Sequence, residues 1–290
     1  MVSPSTPGVV VAPRRRLRDP AWVRITLTTL TLLVLGILIV VPIVSVFANA
    51  LSAGVTTYFN DLTLDSDTRH SILLTLLIAP LAVLANIIFG VAAAWAIARF
   101  CFRGRTLLLT LLDLPFSISP VVAGLLFVLL FGRQGYFGSF VHWLGIQILF
   151  GIPGLLLVTT FTTLPFVARE LIPVMQALGP DEELAAVSLG ASGWQMFWRV
   201  TLPNIQWGLL YGAILANARA MGEFGAVYVV SGKVSGATDT MPLRVEKLMM
   251  EYNAPAAFAV ASVLTLLAAI TLLLKVLVER KVKQQLEGTR

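Results

Sequence analysis

Charge is what this sequence has least of: Asp, Glu, Lys and Arg make up 12% of its 290 residues, against 57% hydrophobic. A soluble domain carries roughly a quarter charged residues, so composition excludes a soluble protein of this length. Cysteine is almost missing too. Cys101 stands alone, which excludes an internal disulfide, and no Cys or His lies beside it at metal-ligand spacing. His70 and His142 read as isolated loop residues, and no nucleophile and base stand together at motif distance. A phosphate-binding loop is lacking as well: Gly232-Lys233-Val234 has neither the hydroxyl nor the first glycine such a loop needs. The chain therefore carries no cofactor and no metal, and is not an enzyme by any of these signatures.

Long apolar runs are what it has instead. A spanning helix needs ~20 apolar residues, and six runs qualify: 25–47, 71–98, 107–131, 153–172, 205–230 and 255–278. The first follows a basic cluster and precedes Ala48-Asn49-Ala50, which resembles a signal cleavage site. It is longer than the ~7–15 residues of a signal core, so it reads as an uncleaved anchor. The expected organisation is a cytoplasmic N-terminal tail at 1–20, a membrane domain at 21–282 with a long connection at 176–204, and a cytoplasmic C-terminal tail at 283–290.

The net charge of +6 sits at the ends of the apolar runs, not on an aromatic-interleaved patch, and this argues against nucleic acid. With six crossings, fifteen of the twenty-one Lys and Arg residues fall on the side of the two termini and five on the other, with Arg219 inside a span. The positive-inside rule then puts both termini in the cytoplasm.

Small residues recur every four positions in two runs: Ala82, Asn86, Gly90, Ala94 and Ala98, and Gly208, Gly212, Ala216 and Ala220. Such stripes let helices approach closely in lipid.

The connection at 176–204 is amphipathic. Pro180 followed by Asp181, Glu182 and Glu183 opens a short helix, with carboxylates complementing its dipole. Gly190 suits its stop. Ser192 and Gln195 form a capping box for a second helix over 194–200, ending before Pro203.

Ala185-Ala186-x-x-x-Gly190, nine residues, then Val200-x-Leu202-Pro203 resembles the "EAA" loop of ABC-importer permeases. The runs 217–225, 241–246 and 191–204 are similar to the sulfate/molybdate branch, nearest to the W-type permease subunit of sulfate/thiosulfate importers. The resemblance covers roughly 23–282. It implies an all-α integral membrane protein, a six-transmembrane-helix permease bundle in the cell inner membrane. It implies a homologous second permease subunit (T-type), an ATPase subunit dimer that binds the ATP and Mg, and an extracytoplasmic sulfate-binding protein meeting the 231–253 loop. It also implies that Ala185, Ala186, Gly190, Ala191 and Ser192 couple to the ATPase. One departure stands out: Leu184 occupies the family's Glu position, with Glu182 and Glu183 just upstream.

Arg219 and Glu223, four apart in a span, lie on one helix face and can pair. Two readings stay open: Arg219 lines the anion path, or the pair is structural. Ser117, Ser119 and Pro120, and Gly222 with Gly225, interrupt two runs and free backbone donors that suit an anion. Three rivals remain. A molybdate/tungstate permease shares the anion class. A gradient-driven secondary anion transporter has no use for a docking loop. A membrane enzyme has only Asp113, Arg219 and Glu223 to work with.

Overall fold

The computed structural model describes residues 20–288; the expected N-terminal tail therefore lies outside the described residues except for Pro20. Every element among the described residues is helical. The chain forms two units, Met1–Ser45 and Val46–Arg290. The described part of the first is the body of α1 (Ala21–Ala50), apolar around its whole circumference, as a membrane-crossing helix is.

The second unit holds α2 (Val55–Thr63), α3 (Ser66–Arg99), α4 (Arg105–Ser117), α5 (Pro120–Phe131), α6 (Gly138–Trp143), α7 (Ile152–Leu178), α8 (Asp181–Ser188) and α9 (Gly193–Met196). It continues with α10 (Leu202–Met221), α11 (Gly225–Val230), α12 (Met241–Met250) and α13 (Ala254–Gly288). Among the described residues, length and apolarity qualify four helices to cross a membrane: α1, α3, α7 and α13. The pair α4–α5 qualifies as a fifth only if counted together, because it bends by 109° at Ile118-Ser119. The 205–230 run is likewise divided, between α10 and α11. Six uninterrupted spans are thus not what the chain builds.

One expectation is corrected. His70 and His142 lie on α3 and α6, not in loops. Asp65 caps α3 by accepting from the Asp67 N–H, so the helix starts well before its apolar run. At the other end α13 stays helical to Gly288.

The small-residue stripes explain the packing. A Cβ on Gly90 of α3 would lie 2.9 Å from the Cβ of Val167 on α7. On α10, a Cβ on Gly212 would lie 3.2 Å from the Val167 Cα and one on Gly208 3.1 Å from the Val174 side chain. Both stripes therefore press on α7, and only glycine lets the backbones come this close. Asn86 donates to Thr163 Oγ1 at 2.7 Å in the buried α3–α7 seam.

Register fixes direction. Along α3 and α7 the partners advance together: Leu74 and Ile78 cluster with Leu155 and Val158, Asn86 meets Thr163, and Arg99 meets Met175. The two helices are parallel. Segment 100–151 therefore returns the chain from one end of α3 to the other. α10 and α11 run opposite to α7, since Gly208 meets Val174 near the end of α7 whereas Gly154, near its start, meets Val230. The two interrupted runs meet break to break: Gly225 lies against Pro120 and Val121, and Gly124 against Ala226 and Val229.

Candidate functional site

The connection between α7 and α10 forms a knob. Three carboxylates fill the first turn of α8, and the helix ends in a Schellman motif. Gly190, at φ 88, donates to Val187 O at 2.9 Å, and Ala191 donates to Ala186 O at 3.0 Å. The left-handed conformation at Gly190 is what glycine supplies here. Ser192 then caps α9: its Oγ accepts from Gln195 N at 3.3 Å, and Gln195 Oε1 accepts from Ser192 N at 3.0 Å.

The second helix does not end before Pro203. It passes through a π-helical turn, Phe197–Thr201, into α10. Leu202 donates to Phe197 O, five residues back, and Pro203 falls in the first turn of α10. Proline removes one intrahelical donor and crowds the preceding turn, and the wider π turn lies directly before it.

Glu183 is the keystone the sequence did not reveal. Its side chain is buried, not presented outward. Arg99 Nε donates to its Oε2 at 2.8 Å and Arg99 Nη2 to its Oε1 at 3.3 Å. Thr201 Oγ1 donates to Oε1 at 2.9 Å, and Arg99 Nη1 reaches Met175 O at 2.7 Å. One carboxylate thus ties the start of α8 to the ends of α3 and α7 and to the π turn. The only sequence signal was its position in the first turn of α8, which reads equally well as a dipole contact.

Outward, the knob presents several large apolar side chains among the exposed Asp181, Glu182, Gln195 and Arg199. Leu184, Val187, Leu189, Trp194 and Trp198 are all exposed, Leu189 to 90%. Phe197 faces inward instead, 5.5 Å from the Trp95 ring of α3. Of the residues singled out from sequence, Ala185, Gly190 and Ser192 are exposed and Ala186 and Ala191 half-buried. All five lie on the knob. Leu184, where an acid was expected, adds to its apolar face.

Arg219 and Glu223 do pair, with Nη1 2.9 Å from Oε2. Glu223 is 2% exposed, and its Oε1 accepts from Ala226 N at 3.2 Å, bracketing the break between α10 and α11. The Arg219 side chain remains 35% exposed. The pair thus has a structural anchor and an open cation. Ser117 and Ser119 are exposed beside the other break.

At the opposite end from the knob, α12 occupies the 231–253 segment. Arg244 Nη2 donates to Asp65 Oδ2 at 2.6 Å, and Met241 N donates to Thr75 Oγ1 at 2.9 Å. Burial alone would raise the Asp65 carboxyl, but hydrogen bonds from Thr68 and Arg244 and the Arg244 charge pull it below the ordinary value. Asp239 is pushed up, chiefly by burial and further by Asp67 and Glu246, against the pull of Lys247 and Arg244. Neither of its oxygens has a hydrogen-bond partner. Among the described residues, no group of His, Cys, Asp and Glu could hold a metal ion.

The family described as "Binding-protein-dependent transport system inner membrane component" matches residues 86–284. The sulfate transport system permease protein CysW of Synechocystis sp. is 52% identical over 260 residues, 89% of this chain and 94% of that protein. The sulfate transport system permease protein CysT of Escherichia coli is 41% identical over 200 residues, 69% of this chain and 72% of that one. Among solved structures, a chain of a bacterial alginate ABC transporter, in complex with an alginate-bound periplasmic protein, aligns with TM-score 0.73 at 18% identity. It covers 89% of this chain and 92% of that one. That likeness concerns the fold.

Proposed function

The chain belongs to the family of binding-protein-dependent transport system inner membrane components, and on that premise we propose that it is the permease subunit of an ATP-driven sulfate/thiosulfate importer. The observation that carries the transport reading is the knob at 181–201, an apolar outer surface on a frame braced by Arg99 and Glu183. A surface of this kind suits docking into a groove of a partner protein. The anion class rests on likeness to the sulfate permeases.

We count six crossings: α1, α3, the bent pair α4–α5, α7, the pair α10–α11, and α13. The parallel run of α3 and α7 supports counting the bent pair once, because the chain must return across the bilayer between them. The charge sorting supports cytoplasmic termini in the inner membrane. The knob then lies in the cytoplasm and α12 outside.

The partners follow from this topology. A homologous second permease chain completes the anion path, and an extracytoplasmic binding protein delivers the anion near α12. Two copies of a cytosolic ATPase receive the knobs and bind the ATP and Mg. This chain performs no catalysis; it converts closure of the ATPase dimer into movement of α3, α7 and α10, which the Glu183 brace joins to the knob. Ala185, Ala186, Gly190, Ala191 and Ser192 form the coupling segment.

The test is uptake of radiolabelled sulfate by cells with and without the chain, with excess thiosulfate or molybdate competing. Loss of uptake without the chain, with thiosulfate the better competitor, is the expected outcome. Unchanged sulfate uptake would overturn the substrate assignment in favour of molybdate or tungstate. Uptake that follows an ion gradient and ignores ATP would overturn the importer reading itself.

A further inference from the structure

A second charged pair lies in the membrane-spanning part of the chain. Arg169 Nε of α7 donates to Asp113 Oδ1 of α4 at 2.7 Å, and the Arg169 guanidinium sits 5.0 Å from the centre of the Phe116 ring. Asp113 is eight residues from the start of α4 and Arg169 nine from the end of α7. Both of those ends lie on the side of the knob: Leu112 packs with Ile97 and Ala168 near the end of α3. At ~1.5 Å rise per residue, the pair stands roughly 12–14 Å along the two helices from those ends, so Arg169, which the charge sorting counted with the cytoplasmic side, sits on a candidate spanning helix. Yet its side chains are 55% and 41% exposed.

Ionised groups on spanning helices do not face acyl chains; they face a bundle interior or water. The surface around them supports this. Arg169, Pro173 and Gln176, at i, i+4 and i+7, form an exposed strip on α7 leading toward the knob. On the opposite side of α4, two residues before Asp113, Leu111 is exposed and apolar, as a lipid contact should be. The chain thus separates a polar face from an apolar one at the same depth.

We propose that Arg169 and Asp113 line the cytoplasmic half of the water-filled anion path between the two permease chains, where Arg169 contacts the divalent tetrahedral oxyanion on its way out. This rests on the importer reading. Arginine has five N–H donors in a fork that fits oxyanions, and the hydrogen bond to Asp113 engages Nε alone. Asp113 offsets most of the Arg169 charge. A path must bind an ion well enough to admit it and weakly enough to release it. A bare arginine would hold the anion; one screened by a carboxylate passes it on.

The experiment uses the assembled importer in inverted membrane vesicles, with the native thiol removed by Cys101→Ser. Arg169→Cys and Leu111→Cys are each treated with a charged, membrane-impermeant thiol reagent. A thiol in apolar surroundings keeps its proton and reacts slowly, so position 169 should react at least about tenfold faster than position 111. Equal rates at the two positions would overturn the proposal.

If Arg169→Cys fails to assemble, Asp113→Asn takes its place. It should lower the maximal rate of sulfate uptake several-fold while KM stays the same or falls, because the unscreened arginine releases the anion slowly. An unchanged rate and KM would overturn the proposal just as well. Sulfate uptake by intact wild-type cells, measured in parallel, separates the two levels. Uptake by those cells together with an unreactive thiol at position 169 in the vesicles removes only the path assignment, whereas no sulfate uptake by the cells removes the importer reading and this inference with it.

Discussion

Arg99 and Glu183 are 84 positions apart in the chain and 2.8 Å apart in space. Their contact joins the end of a membrane-crossing helix to the first turn of the knob. Removing one partner of a largely buried pair leaves a charge without compensation, at a cost of about 3 kcal/mol. Glu183→Ala should therefore loosen the knob, abolish copurification of the ATPase subunit and stop sulfate uptake. The double variant Arg99→Ala with Glu183→Ala should recover part of the thermal stability that either single variant loses. Additive losses in that cycle would mean that the two residues do not act as a pair.

Gly190→Ala tests the Schellman motif. An added Cβ meets nothing within 4 Å, so backbone strain at φ 88 is the only penalty. That strain is about 1–2 kcal/mol. The expected result is faster hydrogen exchange over residues 186–192 and weaker ATPase binding, with the helical content of the protein unchanged.

Gly90→Ala should behave differently. Its Cβ would come within 2.9 Å of Val167 in the α3–α7 seam, whereas one on Gly193 meets nothing within 4 Å. Overpacking of this kind costs about 1–3 kcal/mol. Thermal unfolding in detergent should show Gly90→Ala destabilised and Gly193→Ala close to wild type.

Arg219→Ala distinguishes the two readings of its pair with Glu223. Loss of uptake in an importer that still assembles supports a place on the anion path. Assembly intact with uptake unchanged would leave only the structural role. Glu223→Gln, which keeps an oxygen to accept from Ala226 N, should assemble.

The two carboxylates at the α12 end should give opposite pH dependences. Asp65, held below its ordinary value of 3.8, contributes stability that is present above that value and lost as pH falls through its folded pKa. Asp239, raised above 3.8, binds its proton more tightly when folded, so stability falls as pH rises from 3.8 through its folded pKa. Asp239→Asn should raise the melting temperature at neutral pH and flatten that second slope. A lower melting temperature at neutral pH would show that the ionised carboxylate is stabilising.

Much of this protein was legible in its residues. Four of the apolar runs marked helices that qualify to cross a membrane, α1, α3, α7 and α13, because lipid demands length and apolarity and little else. The knob was legible for a different reason. Pro180, Gly190 and the Ser192–Gln195 box act on backbone within a few residues, so their effects do not wait for tertiary contacts. Small residues at every fourth position marked α3 and α10 as close-packing helices, since glycine and alanine act by size alone.

What the tertiary structure decided is which distant residues meet. That both stripes press on α7, that Glu183 turns inward to Arg99, and that Asp113 finds Arg169 all depend on the parallel run of α3 and α7. No local pattern encodes that run. The same holds for the two breaks at Ile118-Ser119 and Gly222–Phe224. Each was visible as a local interruption, but their meeting follows from close approach at Gly124 and Gly225, where no side chain fits. A single helix face can be read from spacing; the partner of a charge on that face is fixed only when two helices pack.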